Sequence, residues 1–365
     1  MRNGFALLLV LLTSLAFAQT EPQPDPELPP VEETEIGNTE PDPELPLPIN
    51  ENHEKLKSIR NISRFAFGSC NNQNEAQPLW KDMLKVKPDL FIWNGDIVYA
   101  DWETKYDIKK SYQTQKAHPD YTQVRQQTPV LGMWDDHDYG ENDADGRNPN
   151  KAENQKFLLD FLDEPLNSAR RTQEGVYTSY EFGDPDKRVK FILLDNRYFK
   201  NLEADAPLLG NKQWLWLENE LKNSTAKVHF IMTGLSIFSP LLPYSEEWWH
   251  FPSEVNRMLK LVKTYKPQGI VFLTGDKHFG TIFKSYGQLE MISSGMTHIV
   301  NYKAWWYLRR KFPITWFGLN YGLIDIAWEN SIPVITMSFR SVDGRDIYKQ
   351  KYRWGKETWD RMPLQ

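Results

Sequence analysis

The chain has 365 residues, of which 40% are hydrophobic, and is long enough for one large or two ordinary domains with a substantial core. Its formal net charge of −6 is unevenly spread, because residues 19–50 hold nine acidic residues and no Lys or Arg. The remainder is therefore close to neutral, and charge gives no support for nucleic-acid binding.

The first 18 residues have the pattern of a secretory signal peptide. Arg2 supplies the positive start, an apolar run follows, and Ala16-Phe17-Ala18 fits the small-residue cleavage rule. We therefore expect a cleaved signal and an exported protein that is periplasmic, extracellular or surface-associated. An uncleaved membrane anchor is the alternative, but the apolar run is short for a span. No other stretch of the sequence is long and apolar enough to cross a membrane.

Residues 19–58 are predicted to form an acidic, proline-rich and disordered linker ahead of a domain at 59–365. The sequence PDPELP occurs twice in it, at 24–29 and at 41–46. Its prolines and like charges favour an extended chain that buries little apolar surface.

From residue 61 onwards, apolar runs of strand length alternate with stretches of helical spacing. Strands are predicted at 64–70, 89–96, 128–138, 189–197, 228–234 and 269–278, and helices at 75–85, 156–162, 211–223 and 253–265. This alternation predicts an α/β fold with buried strands. After about residue 286, short strands and turns such as VDGR at 342–345 predict a further, partly antiparallel sheet.

Potential metal ligands follow several of the predicted strands. In chain order they are Cys70, Asp96, Tyr99, Asp135, Asp136, His137, Asp138, Asp195, Asp276 and His278. Functional sites of α/β proteins lie at the carboxyl ends of strands. Gathered carboxylates repel one another, and bound cations remove that cost. The pattern therefore favours a metal site over a set of turns and helix caps.

The motifs FGSC, NGDIVYAD, GMWDDHDYGEND, LLDNRYF and LTGDKH resemble those of the PhoD-like alkaline phosphatases, a branch of the calcineurin-like metallophosphoesterases. The resemblance spans roughly residues 61–345. It is specific because WDDHD and GDKH follow GDxxYAD in order, whereas a single GD would be a weak signal. It implies a calcineurin-like fold, in which two packed mixed β-sheets are flanked by helices (an α/β/β/α sandwich).

The resemblance also implies a role for each motif residue. The implied metal ligands are Cys70, Asp96, Tyr99, Asp136, Asp276 and His278. Asp96 is expected to bridge two metals, with Tyr99 and His278 at the first and Asp136 and Asp276 at the second. His137 is expected to face the phosphate or the leaving group, and Asp138 to orient its imidazole.

The expected ligands differ in chemistry between the two metals. A thiolate, a phenolate and an imidazole suit a transition metal such as ferric iron. Carboxylates suit a hard cation such as calcium. The resemblance implies the same pair, Fe³⁺ and Ca²⁺, which the spacing alone would not select.

One ligand of the wider superfamily has no counterpart in this sequence. It is a His after the strand that corresponds to residues 228–234, where this chain reads GLSIFS. Ser236 stands near the position at which this branch often has a glutamine, and His229 lies at the wrong end of its strand. The complete ligand set of the second metal therefore stays open.

Three residues are candidates for substrate binding. Asn142 could contact phosphate or lend an amide oxygen to a metal. Trp248 and Trp249 could wall the pocket, with core packing as the alternative. His118 and His298 are predicted to be incidental.

Charged neighbours of the motif residues have weaker assignments. The sequence leaves open whether Asp135 or Asp136 is the metal ligand, and Asp135 could instead be a partner of the ligating residue. Arg197 is predicted to pair with Asp195 as a structural element, and Lys277 to point away from the site.

The expected reaction is hydrolysis of a phosphate ester substrate by in-line attack of a metal-bound hydroxide. Monoesters, diesters or both could be substrates. A phosphodiesterase that acts on lipid head groups or wall polymers is the alternative enzyme, suggested by the many aromatic residues after residue 300. A non-catalytic phosphate-binding module is the alternative from another class, but the motif carboxylates are intact.

Overall fold

The computed structural model describes residues 51–101, 107–203, 207–239, 245–300, 308–312 and 314–364. The predicted signal peptide and residues 19–50 of the predicted linker lie outside these ranges. Within the described chain, no helix has the length and apolar character needed to cross a membrane.

The last part of the predicted linker is ordered. Glu51–Ser58 forms a helix of 8 residues, α1. Asn52 joins it to the domain, because its Nδ2 donates to the Val130 carbonyl at 2.8 Å and its Oδ1 accepts from the Val130 N–H at 2.7 Å. The predicted disorder therefore does not extend to these residues, which a buried side chain anchors.

Fourteen strands are present in the described residues. They are β1 (Arg64–Gly68), β2 (Leu90–Asn94), β3 (Val130–Met133), β4 (Thr178–Phe182), β5 (Val189–Leu193), β6 (Val228–Thr233), β7 (Ile270–Thr274), β8 (Gly280–Ser285), β9 (Gln288–Ser293), β10 (Thr315–Trp316), β11 (Tyr321–Glu329), β12 (Ile332–Arg340), β13 (Asp346–Trp354) and β14 (Trp359–Met362).

Seven further α-helices accompany these strands in the described chain. They are α2 (Trp80–Val86), α3 (Ile108–Lys116), α4 (Pro119–Gln127), α5 (Asp136–Tyr139), α6 (Lys151–Phe161), α7 (Gly210–Lys222) and α8 (Pro252–Tyr265). The sequence pattern missed α3 and α4. It also extended the third strand through residue 138, whereas β3 ends at Met133 and Asp136 begins a helix.

The strands form two mixed sheets of seven strands each. The first has the order β14-β13-β12-β11-β1-β2-β3, and the second has the order β10-β8-β9-β7-β6-β5-β4. In the first, β1, β2 and β3 are parallel, and β11 to β14 add to the free edge of β1 in antiparallel fashion. In the second, β5, β6, β7 and β9 are parallel.

The strands after residue 286 do not form a sheet of their own. β9 and β10 join the second sheet, and β11 to β14 complete the first. The prediction of a further sheet is therefore wrong in its connectivity. Strand pairing over more than 200 residues decides it, as where Arg64 lies opposite Asp325, and local sequence carries no signal for such pairing.

The main core lies between the sheets. Phe65 of β1 meets Phe191 of β5 and Phe230 of β6, with ring centroids 4.9 and 4.7 Å apart. A second apolar cluster lies between the other face of the second sheet and the helices α7 and α8. Trp80 of α2 and Tyr121 of α4 pack on the other face of the first sheet around Trp93. The observed architecture is the sandwich of two mixed sheets that the resemblance implied.

Candidate metal centre

The candidate site lies where the carboxyl ends of parallel strands from both sheets meet. Asn94, the last residue of β2, donates from Nδ2 to the carbonyls of Thr233 (3.2 Å) and Leu273 (3.4 Å), which belong to β6 and β7. Loops that leave β1, β2, β3 and β7 therefore deliver their side chains to one place, as the rule for strand ends predicts.

Four of the predicted metal ligands have left-handed backbone conformations. The φ angles are 59° at Cys70, 47° at Asp96, 66° at Asp276 and 60° at His278. Non-glycine residues rarely adopt this region, and such strain concentrates at functional sites. Each of these residues turns sharply off a strand end, which aims its side chain across the site.

The predicted ligands of the first metal are brought together. The Cys70 thiol donates to Asp96 Oδ2 at 3.2 Å. The Tyr99 hydroxyl lies 3.1 Å from His278 Nε2. The Cys70, Asp96 and Tyr99 side chains are buried. A sulfur, a phenol oxygen, an imidazole nitrogen and a carboxylate thus share one enclosed region.

The predicted ligands of the second metal also converge. Donor atoms of Asp96, Asp136 and His137 lie within 4.8 Å of one another, and so do those of Asp135, Asp136 and Asp276. Asp136 belongs to both groups. It also belongs to a third, with Asp143 and Glu246.

The buried acids of the site have strongly shifted pKa values. Burial, followed by the charge of Asp136, raises the pKa of Asp96 well above its usual value. Burial raises the pKa of Asp135 to about 7, against the lowering effect of Arg197. Burial also raises the pKa of Asp276. Their ionised forms are therefore costly without additional positive charge.

Asp136 and His278 shift in the direction that suits a cation. Burial would raise the pKa of Asp136, but the charges of Arg197 and then His137 outweigh it and hold the pKa below the usual value. Burial, followed by the charge of His137, lowers the pKa of His278 to about 4. The former is thus ionised and the latter neutral near neutral pH, which are the states that bind metals.

These residues fit a pair of metal ions. Asp135 Oδ2 and Asp136 Oδ1 are buried and have no hydrogen-bond partner among the described residues. Unpaired buried oxygens are costly, and a bound cation would satisfy them. The softer donors Cys70, Tyr99 and His278 suit a transition metal, and the carboxylates suit a hard cation.

The imidazole of His137 is oriented by Asp101, whereas the prediction gave this role to Asp138. Its Nδ1 lies 2.8 Å from Asp101 Oδ1. The Asp138 carboxylate instead accepts from the backbone N–H groups of Asp135 (2.7 Å) and Ile97 (3.0 Å). Because Asp138 lies in the first turn of α5, its carboxylate caps the start of that helix and ties it to the loop after β2.

His137 is predisposed to carry a proton. Burial lowers its pKa, but the hydrogen bond to Asp101 and the charges of Asp96 and Asp136 outweigh burial and raise the pKa to about 10.

Arg197 belongs to the site, which corrects its assignment to Asp195. Its guanidinium is fully buried, and Nε donates to Asp135 Oδ1 at 2.5 Å while Nη1 donates to Glu246 Oε2 at 2.5 Å. Nη2 lies 3.6 Å from Asp136 Oδ1. The Asp195 carboxylate instead accepts from three backbone N–H groups, those of Val176 (2.8 Å), Arg197 (2.9 Å) and Tyr198 (2.9 Å).

Lys277 does not point away from the site. Its Nζ lies 3.1 Å from Asp276 Oδ2 and 3.0 Å from Glu247 Oε1. The prediction used strand alternation, which no longer applies beyond the end of β7 at Thr274. Lys277 and Arg197 thus neutralise some carboxylates and leave others for a metal.

Of the three predicted substrate-binding residues, the structure places one in the core. Trp248 is fully buried and packs against Trp214 in the cluster under α7 and α8, so it belongs to the core. Trp249 is half-buried and contacts Tyr286, with ring centroids 5.5 Å apart. Asn142 is exposed, and its role in substrate binding stays a prediction.

His298 was predicted to be incidental but lies at the site. Its ring stacks on Tyr99, with centroids 4.2 Å apart and planes inclined by 11°. It is also 5.3 Å from the ring of His278. His229 is buried elsewhere, between the Gln268 carbonyl (2.6 Å) and the Ser224 hydroxyl (2.7 Å).

The loop that lacks the superfamily's His ligand is held by a buried glutamate. Glu290 of β9 accepts hydrogen bonds from the Ser236 hydroxyl at 2.6 Å and the Phe238 N–H at 2.8 Å. Ser236 is therefore occupied by a structural contact. Beside this loop the Asp135 carboxylate packs against Gly234, and its buried Oδ2 has no hydrogen-bond partner in the part of the chain that the structure describes.

Among the residues at the site whose place sequence reasoning missed are Asp101, Arg197, Glu246 and His298. Asp101 ends the motif NGDIVYAD and Arg197 lies in LLDNRYF, so both stood within recognised segments. Glu246 and His298 have no spacing signal, because they reach the site from loops after β6 and β9.

Three comparisons place these features among known proteins. The family model described as PhoD-like phosphatase matches residues 65–294. Alkaline phosphatase D of Bacillus subtilis (strain 168) is 23% identical over 288 residues, which cover 63% of this chain and 48% of that protein. The chain thus spans about half the length of this curated relative.

Solved structures share the fold. A structure of PhoD superposes with a TM-score of 0.65 at 16% identity, covering 84% of this chain and 73% of that one. A dimetal phosphatase from Danio rerio gives a TM-score of 0.55 at 11% identity, covering 81% of this chain and 100% of that one.

The family match covers more than half of the chain and includes the strand ends that carry Cys70, Asp96, Asp136 and His278. Together with the two-sheet sandwich and the paired acidic groups, it leads to one conclusion: the chain belongs to the PhoD-like phosphatase family.

Proposed function

We propose that the protein is an exported, metal-dependent hydrolase of phosphate esters that acts on monoesters, diesters or both. The observation that supports this most strongly is that Asp136 belongs to two groups of potential metal ligands, one with Asp96 and His137 and one with Asp135 and Asp276. The Cys70 thiol lies beside them, 3.2 Å from Asp96 Oδ2. Such an overlap suits two neighbouring cations that clamp a single phosphate.

We assign Cys70, Tyr99, His278 and Asp96 to one cation and Asp96, Asp136 and Asp276 to the other. The donor types favour Fe³⁺ at the former site and Ca²⁺ at the latter. Bound cations would supply the charge that polarises the phosphate and activates a water molecule.

The side chains around these ligands have separate tasks. His137, whose pKa is raised to about 10, is protonated near neutral pH and donates its proton to the leaving oxygen. Asp101 holds the imidazole in place through Nδ1. Arg197 holds the Asp135 carboxylate in place and balances part of the negative charge of Asp136.

The test combines metal analysis with turnover. Protein purified without added metal is analysed for elements, and hydrolysis of p-nitrophenyl phosphate and bis(p-nitrophenyl) phosphate is measured with and without calcium. We expect about one iron per chain and calcium-dependent turnover, with loss of turnover in Asp96→Asn. Turnover that survives Asp96→Asn would show that the site is wrong. Metal and phosphate binding without any turnover would favour the binding module.

Export is tested separately. Expression of the full chain should yield mature protein that begins at Gln19, as determined by N-terminal sequencing of the secreted or periplasmic fraction. Retention of residues 1–18 on membrane-bound protein would favour the uncleaved anchor.

A further inference from the structure

Tyr99, the predicted phenol ligand of the first metal, lies in a loop and not in a strand or helix. β2 ends at Asn94, and the next helix of the described chain, α3, begins at Ile108. Tyr99 is buried, so its backbone N–H and carbonyl need the hydrogen-bond partners that a strand would otherwise supply.

One buried side chain, that of Gln73, bonds to both of these backbone groups. The N–H of Tyr99 donates to Gln73 Oε1 at 2.9 Å, and Gln73 Nε2 donates to the carbonyl of Tyr99 at 3.0 Å. The two bonds use opposite ends of the amide, so they fix its orientation. Together they resist rotation and displacement of the Tyr99 backbone.

The same short segment presents the Cys70 thiol. Asn71, which follows Cys70, also bonds to the loop after β2: its N–H donates to the Asp96 carbonyl at 2.8 Å, and its Nδ2 donates to the Ile97 carbonyl at 3.1 Å. With the two bonds of Gln73, residues 71–73 therefore run beside residues 96–99. The thiol, the carboxylate of Asp96 and the phenol of Tyr99 are thus held by one local set of hydrogen bonds.

The Tyr99 side chain extends from this anchored backbone into the site. Its ring stacks on His137 and His298, with centroids 4.0 and 4.2 Å apart, and its hydroxyl lies 3.1 Å from His278 Nε2. Stacked rings oppose tilting of the phenol, but they allow it to slide within its own plane. How far the phenol oxygen reaches into the site therefore depends on where the backbone is held.

We propose that Gln73 is a positioning residue for the first cation, because its grip on the Tyr99 backbone sets how far the phenol oxygen reaches toward Cys70 and Asp96. This inference rests on the proposed function for the assignment of Tyr99 to that cation. Partners that orient a metal ligand commonly change metal affinity by about 10- to 100-fold when they are removed. Loss of Gln73 should therefore weaken iron binding although every ligand is still present.

The test observes the tyrosine ligand directly in the full chain loaded with Fe³⁺. A phenolate bound to Fe³⁺ gives a charge-transfer band in the visible range, and the band that disappears in Tyr99→Phe belongs to this residue. Gln73→Met keeps the volume and removes both bonds, and Gln73→Asn keeps the amide but is too short to make both. We expect the band to shift or weaken in both Gln73 variants. Their affinity for Fe³⁺, measured by competition with a chelator, should fall about tenfold.

Gln155 offers a matched control away from the predicted ligands. It is also a buried glutamine that bonds to both backbone groups of one residue, accepting from the N–H of Gly175 at 3.1 Å and donating to its carbonyl at 3.3 Å. Gln155→Met should lower the free energy of unfolding as Gln73→Met does, but it should leave the band and the iron affinity unchanged.

Three outcomes would overturn the inference. An unchanged band and iron affinity in Gln73→Met, or in Gln73→Asn if the former does not fold, would reduce Gln73 to a structural role. The same spectral change in Gln155→Met would show that any loss of stability is sufficient. A wild type without a band that Tyr99→Phe removes would show that Tyr99 is not a ligand.

Turnover of the two nitrophenyl esters is measured separately on the same samples. If the wild type hydrolyses neither ester while the band changes in the Gln73 variants alone, the proposed function fails and the role of Gln73 stands. If the wild type hydrolyses the esters and the Gln73 variants keep its band and its iron affinity, the proposed function stands and this inference fails.

Discussion

At the scale of single residues, the orientation of the candidate acid depends on a side chain outside the predicted set. The His137 ring is half-buried, and its Nδ1 contacts both oxygens of Asp101, at 2.8 and 2.9 Å. Partners of this kind fix which nitrogen faces the substrate, and their loss commonly reduces activity by about 10- to 100-fold.

We therefore predict that Asp101→Asn lowers kcat by about 10- to 100-fold with metal content unchanged. The amide keeps the shape but removes the charge that holds the proton on His137. As pH rises, kcat of the variant should also begin to fall at a lower pH than kcat of the wild type, because the substitution lowers the pKa of His137. Steady-state kinetics across pH and elemental analysis would check this, and an unaltered profile would show that Asp101 does not act through His137.

A second residue-scale prediction concerns His229, which lies away from the site. Burial lowers its pKa to about 4, against the raising effect of the Gln268 carbonyl. Because the folded pKa lies below the unfolded value, the unfolded state takes up the proton first as pH falls. The contribution of His229 to the free energy of unfolding is complete above about pH 6.5 and is lost between about pH 6.5 and 4. It amounts to about 3 kcal/mol.

Replacing His229 by Gln should remove this pH-dependent part. Urea unfolding of the wild type and His229→Gln is compared at pH 7, 6, 5 and 4. We expect the variant to be less stable at pH 7 and the gap to narrow as pH falls. A constant gap would mean that His229 does not titrate in this range.

At the scale of elements, one glutamate joins the loop after β6 to two strands. Glu290 of β9 is fully buried and accepts from Ser236, from the backbone of the same loop, and from the Thr274 hydroxyl at 2.9 Å. These bonds fix the loop beside the end of β7, which is followed by Asp276 of the metal site.

We predict that Glu290→Gln destabilises the fold by about 1–3 kcal/mol, because the amide turns donors toward N–H groups that need an acceptor. Urea unfolding would measure the loss. Glu153→Gln, on the exposed side of α6, is the control and should change little. Equal effects of the two substitutions would argue against a structural role for Glu290.

At the scale of the whole molecule, the metal centre couples stability to pH. Burial raises the pKa values of Asp96, Asp135 and Asp276, in the case of Asp135 to about 7. A raised folded pKa means that the unfolded state releases its proton first as pH rises. In the metal-free protein, the stability that these three carboxyl groups contribute is therefore fully present below their unfolded pKa values and is lost as pH rises through their folded ones.

Bound cations should reverse this trend. We predict that the Tm of protein with calcium and iron exceeds the Tm of chelator-treated protein by a margin that widens between pH 5 and pH 8. Thermal unfolding at several pH values in each condition would show it. Parallel curves would mean that the acidic groups do not bind the added metals.

The sequence indicated the elements whose pattern is local. The buried runs of β2, β5 and β7 and the amphipathic α7 and α8 lie close to their predicted bounds. It did not indicate α3 and α4, which lie between Asp101 and β3 and carry mostly polar residues. Their apolar contacts come from a few residues such as Tyr112 and Tyr121, too sparse for a periodic signal.

By itself, the sequence determined the alternation of strands and helices and the residue types that end the strands, since both depend on neighbours along the chain. Only the tertiary structure decided how distant side chains pair. His137 meets Asp101 over 36 positions, and Arg197 meets Asp135 over 62. Tyr99 meets His298 across the two sheets. These partners face each other only after the sheets have packed, because burial between distant strands, and not local preference, sets their positions.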